Sequence, residues 1–336
     1  MKVLLKSIVL LIIIFLSVLF SLVIFMNRAT LNIPITGYEI EVKAGYNAHK
    51  LADMLSEKKF IRSKILFISI VKALRLEKNL KTGWFYIDNN SSTSDIVKAI
   101  YSGKFITVSF MIPEGSTFKQ INEILVKEQI VSQNEIADFL STSDYPAKLG
   151  LLGYKNIEGF LSPDTYKFNK GTDIKTIYSA MIKLFYDKLK EIYPDYKMLN
   201  KKELLNKIIL ASIIEKEVKN HSESPIVAGV FNNRLKSKMK LQSCATVQFI
   251  LDKPKEQLFE NDILIDNPYN TYLYMGLPPG PICSPGYDAL RAAFYPEKHN
   301  YYYFVVKNPA AGTHHFSETY EEHLAAQKKY KAIKGF

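Results

Sequence analysis

The chain has 336 residues, 47% hydrophobic and 23% charged, which excludes wholesale disorder and leaves room for an N-terminal segment and two or three modest domains. Its formal net charge of +11 selects partners that carry negative charge, whether nucleic acid, anionic lipid headgroups or an acidic polymer, without choosing among them. From Ile8 to Met26 the sequence reads IVLLIIIFLSVLFSLVIFM, with no charge and only serines as polar interruptions. At about 1.5 Å per residue this run (8–26) reaches about 30 Å as a helix, the thickness of a bilayer's hydrocarbon core. Lys2 and Lys6 precede it and Arg28 follows, which puts residues 1–7 in the cytoplasm and the rest of the chain outside. A cleaved signal peptide is the rival reading, but its apolar region is shorter, and no small-x-small cleavage site stands out in MNRATLNIP. The expectation is a single-pass protein of the cytoplasmic (inner) membrane. That placement argues against nucleic acid and leaves the membrane surface or an acidic wall as the partner.

Residues 27–37 form a linker without periodicity. GYEIEVKAG then alternates as a half-buried strand, and Asn47–Leu55 and Lys64–Leu74 carry apolar residues at helical spacing. TGWFYI, from Thr82, is a further strand, and SSTSDIVKAIYSG opens a helix on a capping hydroxyl. Residues 38–103 are therefore a small α+β module. A second region, 104–336, begins with the strand FITVSFMIPEG and continues with helices at Thr117–Glu128 and Gln133–Leu140. An aromatic-rich loop spans Gly153–Phe168, and long helices follow at Ile174–Ile192, Lys202–Val218 and Pro225–Ser237. Asp266–Gly286 is a proline-rich ordered loop, Asp288–Phe294 a short helix, Tyr301–Lys307 a strand and Glu318–Lys334 a final helix. The fold class is α+β, with a helix-rich second domain.

The two cysteines, Cys244 and Cys283, admit two readings. In an oxidising compartment they form a disulfide, closing a loop of about 40 residues for roughly 4 kcal/mol. Otherwise they are two free thiols that behave as small hydrophobes.

LASIIEKEVKN, at Leu210–Asn220, sets two glutamates at the end of an apolar helix. On a 3.6-residue period Glu215 lies above Leu204, Ile208 and Ala211, whereas Glu217 shares its azimuth with Asn206, although Leu210 and Ile213 also lie beneath it. A carboxyl held against an apolar wall stays protonated near neutrality, as a general acid must, which favours Glu215. The bland alternative is a surface glutamate paired with Lys219 at i+4.

Motifs along nearly the whole chain decide between these. They are IPEG (Ile112–Gly115), EGFLSPDTY (Glu158–Tyr166), ASIIEKE (Ala211–Glu217), VFNNRL (Val230–Leu235) and LQSCATV (Leu241–Val247). NPYNTY (Asn267–Tyr272), GLPPGPICSPG (Gly276–Gly286), YYYFV (Tyr301–Val305) and the His-Phe-Ser of HHFSETYEEH complete the set. In this order, behind an N-terminal apolar segment, the chain resembles the YceG-like endolytic murein transglycosylases, the MltG family. The resemblance implies an enzyme that cuts the MurNAc–GlcNAc bond within peptidoglycan glycan strands and leaves 1,6-anhydro ends. It maps the catalytic acid/base onto Glu215. A lysozyme-like hydrolase on the same bond and a non-catalytic wall-binding scaffold are the alternatives.

The resemblance also implies that Glu158 lies beside the cleft, either on the substrate side or as a turn-forming carboxylate. It puts Gln242, Ser243 and Thr246 in a motif lining the glycan cleft. Many relatives carry Asp where this chain has Cys244, a departure that strengthens the pairing with Cys283. Asn267, Tyr269, Asn270 and Tyr272 are candidates for sugar binding by hydrogen bonds and stacking, Asn270 foremost. Residues 38–103 resemble a LysM-like module, for glycan binding or for spacing. Association with wall-synthesis machinery is implied. His314, His315 and His323 match no standard ligand spacing, so neither a metal nor a cofactor is expected.

Overall fold

The computed structural model describes residues 2–30, 32–251 and 253–334. Met1, Leu31, Asp252, Gly335 and Phe336, which fall in the expected cytoplasmic N-terminus, linker and second domain, lie outside the described residues.

The charge-free N-terminal run forms helix α1 (Lys2–Asn27). Its stretch Leu4–Asn27 is, among the described residues, the helix long and apolar enough to cross a membrane. Its large apolar side chains are exposed from Leu4 to Phe25. A helix that is apolar all round and covered by no protein finds its partner in lipid.

The chain divides into two compact units, residues 1–108 with 167–172, and residues 109–166 with 173–336. The first holds β1 (Tyr38–Val42), α2 (Ala48–Glu57), α3 (Lys64–Ala73), β2 (Gly83–Ile87) and α4 (Thr93–Ser102). Each helix begins on the polar residue that sequence reasoning asks for: Asn47 accepts the Lys50 N–H, Ser63 that of Leu66, and Ser92 forms a reciprocal capping box with Asp95. Strands β1 and β2 pair antiparallel, Tyr38 opposite Ile87 and Val42 opposite Gly83. Alternation turns Ile40, Val42, Phe85 and Ile87 inward onto Leu51, Leu55, Phe67 and Val71. The end of α1 is fastened to this unit. Asn27 Oδ1 accepts the Ser94 N–H at 2.9 Å, and the Arg62 guanidinium sits 4.9 Å from the centre of the Phe25 ring.

The second unit takes up the chain within β3 (Thr107–Ile112), followed by α5 (Phe118–Lys127), α6 (Gln133–Leu140) and the short α7 (Tyr145–Lys148). β3 pairs with β4 (Asp164–Asn169), which the sequence left inside a loop. β4 exists only through that pairing with a strand some fifty residues away, so nothing local marks it. Helices α8 (Ile174–Ile192), α9 (Lys201–Glu217) and α10 (Ser224–Lys236) are the expected long ones. Two further helices, α11 (Cys244–Ile250) and α12 (Glu260–Ile263), are too short to show a period in sequence. Then come α13 (Tyr287–Phe294), the antiparallel hairpin β5 (Tyr303–Asn308) and β6 (Thr313–Ser317), and α14 (Tyr320–Lys334). The histidine motif thus lies on a strand of its own.

Helix α9 is the axis of this unit. It packs against α13, α10 and α11, and every residue from Ile208 to Ile214 is buried. Its covering on all sides is why its azimuths do not mark an outward face.

Candidate active site

Three connections bring the motifs onto the C-terminal end of α9. In the first, Gly115 of IPEG donates its N–H to the Ser284 carbonyl at 2.9 Å, and Ser284 returns its own to Ser116. Lys216 crosses to the Gly115 carbonyl at 2.9 Å, and the Ile282 N–H reaches the Ser212 hydroxyl on α9 at 3.0 Å. In the second, VFNNRL ties down the approach to β5. Asn233 donates to the carbonyls of His299 and Tyr301, and Arg234 to those of Tyr302 (2.6 Å) and Leu241 (2.8 Å). In the third, LQSCATV and NPYNTY are laced together: Gln242 N–H to the Thr271 carbonyl, Ser243 N–H to the Thr271 hydroxyl, and the Thr246 and Thr271 hydroxyls to each other at 2.9 Å.

These connections build a cavity of about 360 Å³ whose lining includes Glu217, Arg234, Gln242, Ser243, Cys244 and Tyr272. A smaller hollow of about 180 Å³, with Lys219, Pro309, Gly312 and His314 in its wall, is lined by Glu217 too. Glu217 takes a hydrogen bond from the Ser243 hydroxyl and one from the Ala245 N–H. Burial pushes its carboxyl up from the ordinary value, against the pull of those two bonds and of the His314 and Arg234 charges.

Glu215 lines neither hollow. Its Oε2 accepts the Gly286 N–H at 2.9 Å, and burial pushes its carboxyl up, helped by the charge of Glu114 and opposed by Gly286, His221 and Lys216. A Cβ at Gly286 would lie 2.1 Å from Glu114 Oε1, so a side chain there would push the Glu114 carboxyl aside. Both carboxyls are therefore pushed toward the protonated form, but in different company. Glu114 carries the IPEG carboxyl, which the sequence offers only within its motif and nothing in the pattern singles out.

Glu158 is buried, and both its oxygens accept the Phe118 N–H at 3.0 Å, capping the start of α5. Burial raises it to about 7 despite the Phe118 and Gly159 N–H groups and the charge of Lys216. Of the two roles open to it, this geometry is the turn-forming one.

The remaining expectations divide. Gln242, Ser243 and Tyr272 line the cavity with Glu217. Thr246 is fully buried and used up inside the scaffold. Asn270 does not face the cavity: it is completely buried, its amide donates to the Ile263 and Ile265 carbonyls, and its oxygen accepts the Tyr272 N–H. Asn267 likewise spends its side-chain oxygen on the Tyr269 N–H. Tyr269 stacks near Phe249, with ring centres 5.0 Å apart, and lines a separate hollow with Tyr154 and Pro281.

The disulfide expectation is corrected: Cys244 and Cys283 are both free. Cys244 is exposed and sits 3.0 Å from the Tyr272 hydroxyl, while Cys283 is buried with its Sγ donating to the Ser212 carbonyl. Their motifs meet α9 from different sides, which sequence spacing does not reveal. His314 is held by Glu223 at 2.7 Å, and His323 stacks on Tyr303 and meets Gln327 at 3.0 Å. Among the described residues no group of three or more His, Cys, Asp or Glu side chains is placed to hold a metal ion.

An endolytic murein transglycosylase of Bacillus subtilis (strain 168) is 30% identical over 314 residues, 89% of this chain and 86% of its own length. One from Streptococcus pneumoniae serotype 2 (strain D39) is 28% identical over 316 residues; the alignment takes in 84% of this chain but 56% of that longer relative. A crystal structure of a YceG-like protein from Listeria monocytogenes matches with a TM-score of 0.53 at 33% identity, covering 86% of this chain and 98% of that one. The YceG-like family pattern spans residues 40–329, and the chain belongs to the YceG-like family.

Proposed function

We propose that this chain is an endolytic peptidoglycan lytic transglycosylase, anchored by α1, whose acid/base is Glu217 rather than Glu215. The observation that carries the assignment is that Glu217 lines both hollows while Glu215 lines neither. An enzyme that cuts inside a strand needs sugar on both sides of its acid, and of the two glutamates it is Glu217 that stands in the wall of both hollows. Glu215 keeps a claim through the neighbouring Glu114 charge, which favours its protonated form.

In this reading the protonated Glu217 donates to the oxygen linking MurNAc to GlcNAc, and the bond to the anomeric carbon breaks. The carboxylate so formed takes the proton from the muramyl C6 hydroxyl as that oxygen bonds to its own anomeric carbon. The product is a 1,6-anhydro end. Because the nucleophile is part of the sugar, one carboxyl suffices where most glycosidases use two. Burial favours the protonated form, and Ser243 and the Ala245 N–H hold the carboxylate when it is formed.

The anchor supports a cut close to the outer face of the cytoplasmic membrane, on strands newly made there, in company with the wall-synthesis machinery. The strand–helix–helix–strand order of residues 38–103 supports a LysM-like role in holding or spacing the glycan. The test is mass spectrometry of purified glycan strands exposed to the full-length chain in detergent, beside Glu217→Gln and Glu215→Gln. Internal fragments with 1,6-anhydro ends from wild type and Glu215→Gln, and none from Glu217→Gln, are expected. Reducing ends would make it a hydrolase, and bound but uncut strands a scaffold.

A further inference from the structure

A third hollow, of about 350 Å³, opens beside the turn that follows α9. It is within the size range of small-ligand sites, about 300–1,000 Å³. His221 and Ser222 on that turn form one wall, and Asp288 and Arg291 on α13 form another, with Tyr295 beside them. Asp288 and Arg291 are three residues apart, so they share a helix face, and both are exposed. Yet among the described residues neither enters an ion pair. An open guanidinium alone would select an anion. A guanidinium and a carboxylate that line one hollow with no ion pair between them select a ligand that carries both signs, and the carboxylate repels a purely acidic polymer.

The turn also locates the hollow. His221 and Ser222 face it, while the next residue, Glu223, grips both the ring and the backbone N–H of His314, in the wall of the small hollow beside Glu217. One short turn therefore separates this space from the acid/base. A ligand of both signs next to a glycan-cutting centre has one natural source in the same polymer. The peptide branches on muramyl residues end in a free carboxylate and include a diamino acid with a free amine.

We infer that this hollow binds the peptide branch of peptidoglycan, with its carboxylate at Arg291 and its amine at Asp288. The inference rests on the proposed glycan substrate. It makes the enzyme a reader of strands that still bear peptides.

Titration calorimetry on the full-length chain tests it, with an isolated stem peptide that has a free terminal carboxylate and a free side amine. The comparators are the same peptide amidated at the terminus, the same peptide acetylated at the amine, and free lysine. Wild type should bind the free peptide about tenfold more tightly than either blocked form, the scale of one charge-assisted contact. Arg291→Ala should lose the preference over the amidated peptide only, and Asp288→Asn the preference over the acetylated one only. On peptide-bearing strands Arg291→Ala should raise KM about tenfold with kcat kept, its thermal unfolding unchanged. Equal binding of blocked and free peptides, loss of both preferences in either variant, or free lysine binding as well as the peptide would overturn the inference. A wild type that shows these preferences but cuts no strand would overturn the proposed activity and leave the site standing.

Discussion

The two glutamates of the last turn of α9 stand two residues apart, and the fold treats them differently. Over Glu215 it folds the IPEG turn and the end of the proline-rich loop, so that Gly286 donates to the carboxylate and Glu114 stands against it. Over Glu217 it leaves space on two sides and brings in Ser243, Arg234 and Tyr272 from three separate segments. Both carboxyls are desolvated and both are pushed up. Desolvation by itself therefore does not pick out a catalytic acid; access to a substrate-sized space does.

The sharpest way to break this comparison is the pair of amide substitutions. Glu217→Gln should lower kcat on glycan strands by about a thousandfold, the scale of losing a positioned acid/base. Glu215→Gln should leave kcat within about tenfold of wild type, and the reverse order would return the acid to Glu215.

Glu158 extends the comparison to a third desolvated carboxyl, one with a structural role. Its folded value of about 7 lies above the ordinary 4.5, so the folded protein holds this proton where the unfolded chain has lost it. The stability this confers is complete below pH 4.5 and is lost as pH rises to about 7. Over that window Glu158→Gln should flatten the pH dependence of urea unfolding by up to about 3 kcal/mol. An unchanged slope would mean that the buried carboxyl is ionised throughout.

Asn270→Ala should act on stability, not on substrate affinity. It strands the Ile263 and Ile265 carbonyls and so should cost about 3 kcal/mol in unfolding measurements while KM stays near wild type. A raised KM in a fully stable variant would restore it to the substrate side.

Ser243→Ala removes a bond that favours the charged form of Glu217, so the carboxyl should rise further. The alkaline limb of the kcat profile should then move to higher pH, and a shift in the opposite direction would separate Glu217 from the titration. The smallest effect expected is chemical. A thiol reagent should modify Cys244 in the native protein and Cys283 only after unfolding, whereas silence from both thiols until reduction would reinstate the disulfide.

Much of the architecture was legible from local pattern. The anchor follows from a charge-free run, and the helix starts at Asn47, Ser63, Ser92 and Thr117 follow from side chains that satisfy the first free N–H groups. Strand β5 was read, but its hairpin partner β6, strand β4 and α11 were not, because they depend on partners distant in the chain or are too short for a period to register. Within the site, Gln242, Ser243 and Tyr272 were found through their motifs, while Glu215 was preferred to Glu217 through the family resemblance, with helix azimuth leaning the same way. Azimuth separates two residues only on a helix with one wet side, and α9 is buried on every side along Ile208–Ile214.

By itself, then, the sequence determined the membrane-length helix, the α+β alternation, the family and the apolar helix that ends in the two glutamates. Each of these rests on residue types at short spacing, where hydrogen-bond capping and periodic burial act locally. Only the tertiary structure shows that Glu217 lines both hollows, that Asn270 and Thr246 are buried and bonded within the fold, and that the two cysteines are free. Those outcomes depend on which loops close over the end of α9, and loop closure is governed by contacts between residues tens of positions apart.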